Sequence, residues 1–287
     1  MNKIAVIDIG SNSVRLMMLA DGKVFYKTIQ TTRLGEGLAF SPCLKPEAIS
    51  RTLSAMESFL AKARLEGAQA VYAFATAAVR SAENRSEFLE QAKARLSLDV
   101  EVISGETEAE IGILGAIGVS DGGIIDVGGA STEFILQRQG KIVYEKSLNV
   151  GVVRVKDKCG RDQKTLEEFV AEVVKEYGTP EIKEKIYAIG GTATSLAAIQ
   201  NGLEEYQADK VTGTVITKSE MRKMTDKLFS MSVEEIRQIP CIDKLRADVL
   251  AGGAAILTIV MSQLGIDEII VSDGDNLEGY AILKGLL

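Results

Sequence analysis

The chain has 287 residues, 46% of them hydrophobic and only 4 of them proline, enough to bury a large core and to favour two domains over one. Its 33 Lys+Arg against 40 Asp+Glu leave a net charge of −7, which argues against non-specific nucleic-acid binding and makes any anionic ligand depend on a local cationic or glycine-rich site. There is no histidine, so Ser-His-Asp and Cys-His machinery are excluded, acid–base work falls to carboxylates, Lys, Tyr or water, and a metal would be a hard cation held by oxygens.

Residues 3–9 read as a strand that resumes at Val14–Leu19, and Asp21-Gly22 turns the chain into Val24–Ile29, giving a three-strand meander. Asp8 and Arg15 interrupt this apolar start, so it is neither a signal peptide nor a membrane span. Pro46 opens a helix with Ile49, Leu53, Met56 and Leu60 on one face, ending at Gly67. A strand at Ala70–Ala75, a short helix capped by Ser86, a strand at Val100–Ile103 and a helix from near Glu106 complete the first half.

The second half repeats the order. Ile124–Val127, Glu133–Gln137 and Val143–Leu148 form a meander turning at Gln139-Gly140, then come a helix with Leu166, Phe169 and Val173 and a strand at Ile186–Ile189. Thr217 and Ser232, each three residues before a glutamate, mark two capping boxes. Asp243–Met261 reads as one long helix whose apolar run from Val249 is too short for a bilayer, followed by a strand at Ile269–Ser272 and a helix around Leu277–Leu286. Cys43, Cys159 and Cys241 are scattered and odd in number, as expected of a reducing cytoplasm, and no CxxC offers a zinc site.

The halves share residues as well as order. IDIGSNS at 7–13 matches IDVGGAS at 125–131, VYAFATAA at 71–78 echoes IYAIGGTATS at 186–195, and VIS at 102–104 echoes IVS at 270–272. These echoes predict duplication of a βββ-α-β-α-β unit. Strand-like sequence follows both glycine turns, whereas Rossmann and Walker loops open a helix. The turns are therefore read as β-hairpin loops, with Gly10, Gly128, Gly129 and Ala130 giving the backbone access to a phosphate and Ser11, Asn12, Ser13 and Ser131 adding donors. Asp8 and Asp126 at their mouths either hold Mg²⁺ or satisfy turn N–H groups.

Eight ordered segments, IDIGSNSVRL, TRLGEGL, FATAAVR, ISGETEA, IDVGGASTE, IGGTATSLA, RADVLAGG and VSDGDNLEG, resemble the exopolyphosphatase/guanosine pentaphosphate phosphohydrolase family over almost the whole chain. The resemblance implies an α/β fold of duplicated actin-like (ribonuclease H-like) domains, 1–121 plus a returning C-terminal helix at about 276–287, and 122–275, which close on substrate about a hinge. The chain resembles the family's short form, in which the C-terminal helical domain of longer members is not expected. Glu108 matches the family's proposed general base, and its place in a helix's first turn is also what the macrodipole favours. Glu133 matches a further acid, and alternation turns it to the same face as Ser131. Arg33 and Arg80 are candidates for gripping phosphate, and Gly190, Gly191 and Thr192 open a helix that offers N–H groups to another. Arg15 is expected to point away from the cleft, and Arg246 is either structural or at the site.

Mg²⁺, with Mn²⁺ as the substitute, is the cofactor implied. Inorganic polyphosphate is the favoured substrate and guanosine pentaphosphate the alternative, with a superfamily kinase or ATPase and a non-enzymatic phosphate sensor behind them. No membrane and no nucleic acid are expected as partners, and a homodimer stays open. The chain departs from the family pattern at Thr107, at Ala130 and in SDGDNLEG, which lacks the arginine common there.

Overall fold

The computed structural model describes residues 2–287. The first sheet begins with β1 (Lys3–Ile9), β2 (Ser13–Ala20) and β3 (Lys23–Thr31), an antiparallel meander. Asp21 and Gly22 both take left-handed backbone angles, the geometry whose twist suits a two-residue hairpin. Then follow α1 (Pro46–Leu65), β4 (Ala70–Ala75), α2 (Ala77–Ser81), α3 (Arg85–Leu96), β5 (Glu101–Val102) and α4 (Gly105–Ile117). The strand order is β3-β2-β1-β4-β5.

The second sheet is built from β6 (Gly122–Val127), β7 (Thr132–Arg138) and β8 (Lys141–Leu148), then α5 (Val152–Cys159), α6 (Gln163–Val174), β9 (Ile186–Ile189), α7 (Gly190–Gln200) and α8 (Ala208–Val211). It ends with β10 (Val215–Thr217), α9 (Lys218–Ser230), α10 (Val233–Arg237), α11 (Ala247–Leu264), β11 (Glu268–Val271) and α12 (Asn276–Leu283). Its order is β10-β11-β9-β6-β7-β8. Without β10 this is the order of the first sheet, so the duplication read from the repeats is present strand for strand.

Alternation along the strands decides which side chains meet the cleft. Ala5, Ile7 and Ile9 of β1 and Val14, Leu16 and Met18 of β2 pack under α1 and α3. Val6, Met17 and Leu19 face the other way, onto Ile111 of α4 and onto Leu277, Tyr280 and Ala281 of α12. In the second sheet Ile124 and Ile135 face Ala109 and Ile113 of α4. Helix α4 is thus wedged between the sheets, apolar towards both, with its N-terminus at their junction. Tyr280 stacks on Phe74 at 4.4 Å between ring centroids and donates to Glu101 at 2.7 Å, which ties α12 to the first sheet.

Several local expectations change. Asn84, not Ser86, precedes α3, and no side chain caps that helix. The predicted strand Val100–Ile103 pairs only at Glu101–Val102. The long helix from Asp243 is a separate 3-10 turn, Lys244–Arg246, followed by α11, which stops where Gly265 turns left-handed. With that turn, α11 is long and apolar enough to cross a membrane by length and composition, yet Val249–Met261 is buried in the core of the second half. Helices α2 and α8 and strand β10 are too short to show a period. Helix α5 is not among the predicted elements; its first residues are held by Val152 N–H to Gly128 O and Val153 N–H to Gly129 O at 3.0 and 2.9 Å.

Candidate active site

The two glycine turns are the same object built twice. Gly10 N–H donates to Ser13 O and Gly128 N–H to Ser131 O, both at 3.0 Å, closing matching loops above the pairs Ile9–Val14 and Val127–Thr132. The loops touch each other. A methyl group on Gly129 would lie 2.8 Å from Ser11 Cβ and 2.9 Å from the Asn12 nitrogen, so only glycine lets the second hairpin come this close to the first.

Between them lies a cleft of about 100 Å³. It is lined by Asp8, Gly10, Ser11, Asn12, Ser13, Glu108, Asp126, Gly128, Gly129, Ala130, Ser131, Glu133, Gly190, Gly191 and Thr192 together. Arg33 and Arg80 do not line it. Arg33 is held by Asp248 at 2.8 Å and by the Leu245 carbonyl at 3.0 Å, and Arg80 is spent on Glu108 at 2.6 Å and on the Ile103 carbonyl at 3.1 Å. Glu106 and Glu110, neighbours of Glu108, are exposed.

Arg15 is the main correction. It faces the cleft, pairs across the strands with Asp8, and bonds both Asp8 and Asp275 through its guanidinium. In the second hairpin the equivalent cross-strand pair is Asp126–Glu133. The alternation that turns Glu133 inward therefore turns Arg15 inward too, and the internal repeat carried that signal. Asn276 and Thr76 also line the cleft, with Asp275 capping α12 beside them. Arg246 lies over Gly191, where a β-carbon would stand 1.3 Å from its Nη1. Arg15 and Arg80 are neutralised by carboxylates, whereas no salt bridge holds Arg246 among the described residues.

The acids respond to this crowding. Burial pushes Glu108 up from its ordinary value; Arg80 pulls it back and Asp8 adds repulsion. Burial raises Asp126 to about 7, opposed by Arg15 and reinforced by Asp275, Glu108 and Asp8. Burial, with Glu108 and Asp126 nearby, raises Glu133 to about 8, although Ser147 donates to it at 2.6 Å. Asp8 is raised by burial against the pull of Arg15.

A hydrated divalent cation fits these donors. Asp8 Oδ1 is buried without a hydrogen-bond partner, and Asp126, raised by burial and by the neighbouring carboxylates, forms no salt bridge among the described residues. No group of three metal-type side chains gathers among the described residues. Mg²⁺ commonly takes only one or two carboxylates and completes its shell with water and phosphate oxygens, so two are sufficient.

The model of the Ppx/GppA phosphatase family matches residues 4–284. The chain belongs to that family. Among curated relatives of this family member, exopolyphosphatase 2 of Mycobacterium tuberculosis is 29% identical over 98% of both chains. A bifunctional 3-dehydroquinate synthase/phosphatase of Fusobacterium nucleatum is 30% identical, with 98% of this chain matching 46% of that protein. A guanosine-5'-triphosphate,3'-diphosphate pyrophosphatase of Photobacterium profundum is 28% identical over 96% of this chain and 58% of its own. The crystal structure of the Aquifex aeolicus family member superposes with a TM-score of 0.79 at 28% identity, covering 99% of this chain and 98% of that one.

Proposed function

We propose that this Ppx/GppA phosphatase hydrolyses the terminal phosphate of inorganic polyphosphate in the cytoplasm, using a carboxylate-oriented water. The observation that carries the reading is the position of Glu108. It stands at the N-terminal end of the wedged helix, in the one cleft that both hairpins enter. Phosphoryl transfer needs little covalent chemistry from a protein beyond positioning and charge stabilisation. The hairpin N–H groups, Ser11, Ser13 and Ser131 grip phosphate oxygens, and Arg246 supplies the uncommitted positive charge. Asp8 and Asp126 would hold Mg²⁺ or Mn²⁺, which would neutralise charge on the phosphates. Glu108 accepts a proton from the attacking water. Burial raises its pKa above the ordinary carboxylate value while Arg80 pulls it back, which strengthens Glu108 as a base and still favours its ionised form. Glu133 orients the water from the opposite hairpin.

Guanosine pentaphosphate is the second reading, and one observation favours it. Past Arg15, Gly190, Gly191 and Arg246 the cleft continues into a chamber of about 580 Å³ bordered by Phe25, Tyr26 and Tyr206. Its volume and aromatic walls suit a nucleoside. The deciding experiment measures phosphate release from polyphosphate, guanosine pentaphosphate and ATP side by side, with the Glu108→Gln variant. Polyphosphate should show the highest kcat/KM, and Glu108→Gln should lose about a hundredfold or more of it. Wild-type turnover in that variant would remove Glu108 from the mechanism, and ADP formation from ATP and an acceptor would replace hydrolysis with a kinase reading.

A further inference from the structure

The loop after β3 and the start of α5 each hold one hairpin and each reach across the cleft. On the first side, Thr32 and Arg33 N–H groups donate to Asn12 O at 3.0 and 2.8 Å, and Gly35 N–H donates to Ser11 O at 2.8 Å. On the second, Val152 and Val153 N–H groups are bound to Gly128 and Gly129 carbonyls, and Arg154 Nε donates to Ala130 O at 3.1 Å. The two supports are then joined to each other. Arg33 Nη2 meets both oxygens of Asp248 at 2.9 and 2.8 Å, and Lys156 of α5 pairs with the same carboxylate. Gly37 N–H donates to Asp157 of α5 at 2.9 Å, and Thr31 Oγ1 donates to Asp243 at 2.8 Å.

We propose that Arg33, Asp248 and Lys156 form a latch that locks the two phosphate hairpins together over a bound polyphosphate chain and sets how long the enzyme keeps it. Arg33 is a positioning residue. It takes a left-handed backbone angle, which is uncommon for a non-glycine residue and is imposed by the carbonyls of Ser11 and Asn12 that its loop serves. A guanidinium and an ammonium sharing one partly exposed carboxylate make the latch sensitive to salt. Opening it separates the supports, the hairpins follow their carbonyl bonds, and the remaining chain escapes before the next terminal phosphate is cut.

The polyphosphate part rests on the proposed activity, whereas the closure part does not. Small-angle scattering of the intact, substrate-free protein tests closure alone. The radius of gyration should increase in Arg33→Ala and in Asp248→Asn, and the double variant should show little further increase, because both singles break the same Arg33–Asp248 contact across the cleft. With long-chain polyphosphate, Arg33→Ala should raise KM about three- to tenfold with kcat within about twofold, the size expected of one partly exposed ion pair. Products should shift from fully shortened chains beside untouched ones to a ladder of intermediate lengths. Arg33→Lys should recover most of the compactness. An unchanged radius in both single variants, or a loss of kcat at constant KM in Arg33→Ala, overturns the latch. Absence of polyphosphate turnover in the wild type would refute the activity and leave the scattering result to decide closure.

Discussion

Replacing Gly279 by alanine should separate the final helix, α12, from α4. A β-carbon there lies 1.7 Å from the Ile111 carbonyl oxygen. An ordinary carbon–oxygen contact is about 3.3 Å, so α12 and α4 must part by about 1.6 Å. Both partners at the contact are helix backbone, so no side-chain rotation relieves it. A gap of that size forfeits roughly half of the packing that Leu277 and Tyr280 gain against Val6, Met17 and Phe74, about 2–3 kcal/mol for two large side chains. Disturbing the Tyr280–Phe74 stack adds about 1 kcal/mol, and the better helix propensity of alanine returns about 1 kcal/mol. The expected net loss is about 2–3 kcal/mol in urea unfolding followed by circular dichroism. Gly105→Ala is the control, since its β-carbon meets nothing within 4 Å, and it should be neutral or stabilise by up to about 1 kcal/mol. A Gly279→Ala protein within about 0.5 kcal/mol of wild type would refute the close-packing argument. Activity should fall with stability, because Asn276 at the start of the same helix lines the cleft.

Glu133→Gln should change how stability depends on pH. The folded state raises Glu133 from 4.5 to about 8, so its neutral form is favoured and wild-type stability from this group falls as pH rises between those values. The variant should gain on wild type steadily from pH 5 to pH 8, towards a ceiling of about 5 kcal/mol, and parallel curves would contradict the shift. Arg15→Met leaves Asp8 and Asp275 without their shared cation and should destabilise the protein by about 3 kcal/mol, measured by denaturant titration. Arg246→Met removes the cleft arginine that no salt bridge holds, so it should raise KM for polyphosphate at least tenfold while leaving unfolding stability within about 1 kcal/mol; the reverse pattern would make Arg246 a structural residue.

Much of the candidate site was readable before any coordinates, and the reason is local. The hairpin loops depend on glycine, serine and aspartate at fixed spacing, and strand alternation carries Glu133 to the cleft by simple counting. The same counting applied to Arg15 points inward, yet an arginine on an apolar strand reads as pointing outward until its partners are known. Those partners are Asp8 beside it and Asp275, far along the chain. Arg33 shows the opposite case: a cation in a phosphate-like motif that the fold commits to Asp248.

The sequence alone determined the duplicated strand order, the hairpin nature of both glycine turns and the exclusion of histidine chemistry. Each of these follows from residue type and period within a short segment. Only the tertiary structure decided which charges remain free. Arg33 and Arg80 are neutralised by acids 215 and 28 residues away, while Arg246, against Gly191, has no such partner among the described residues. Charge pairing across a cleft depends on how two sheets are set against one wedged helix, and no local pattern encodes that distance.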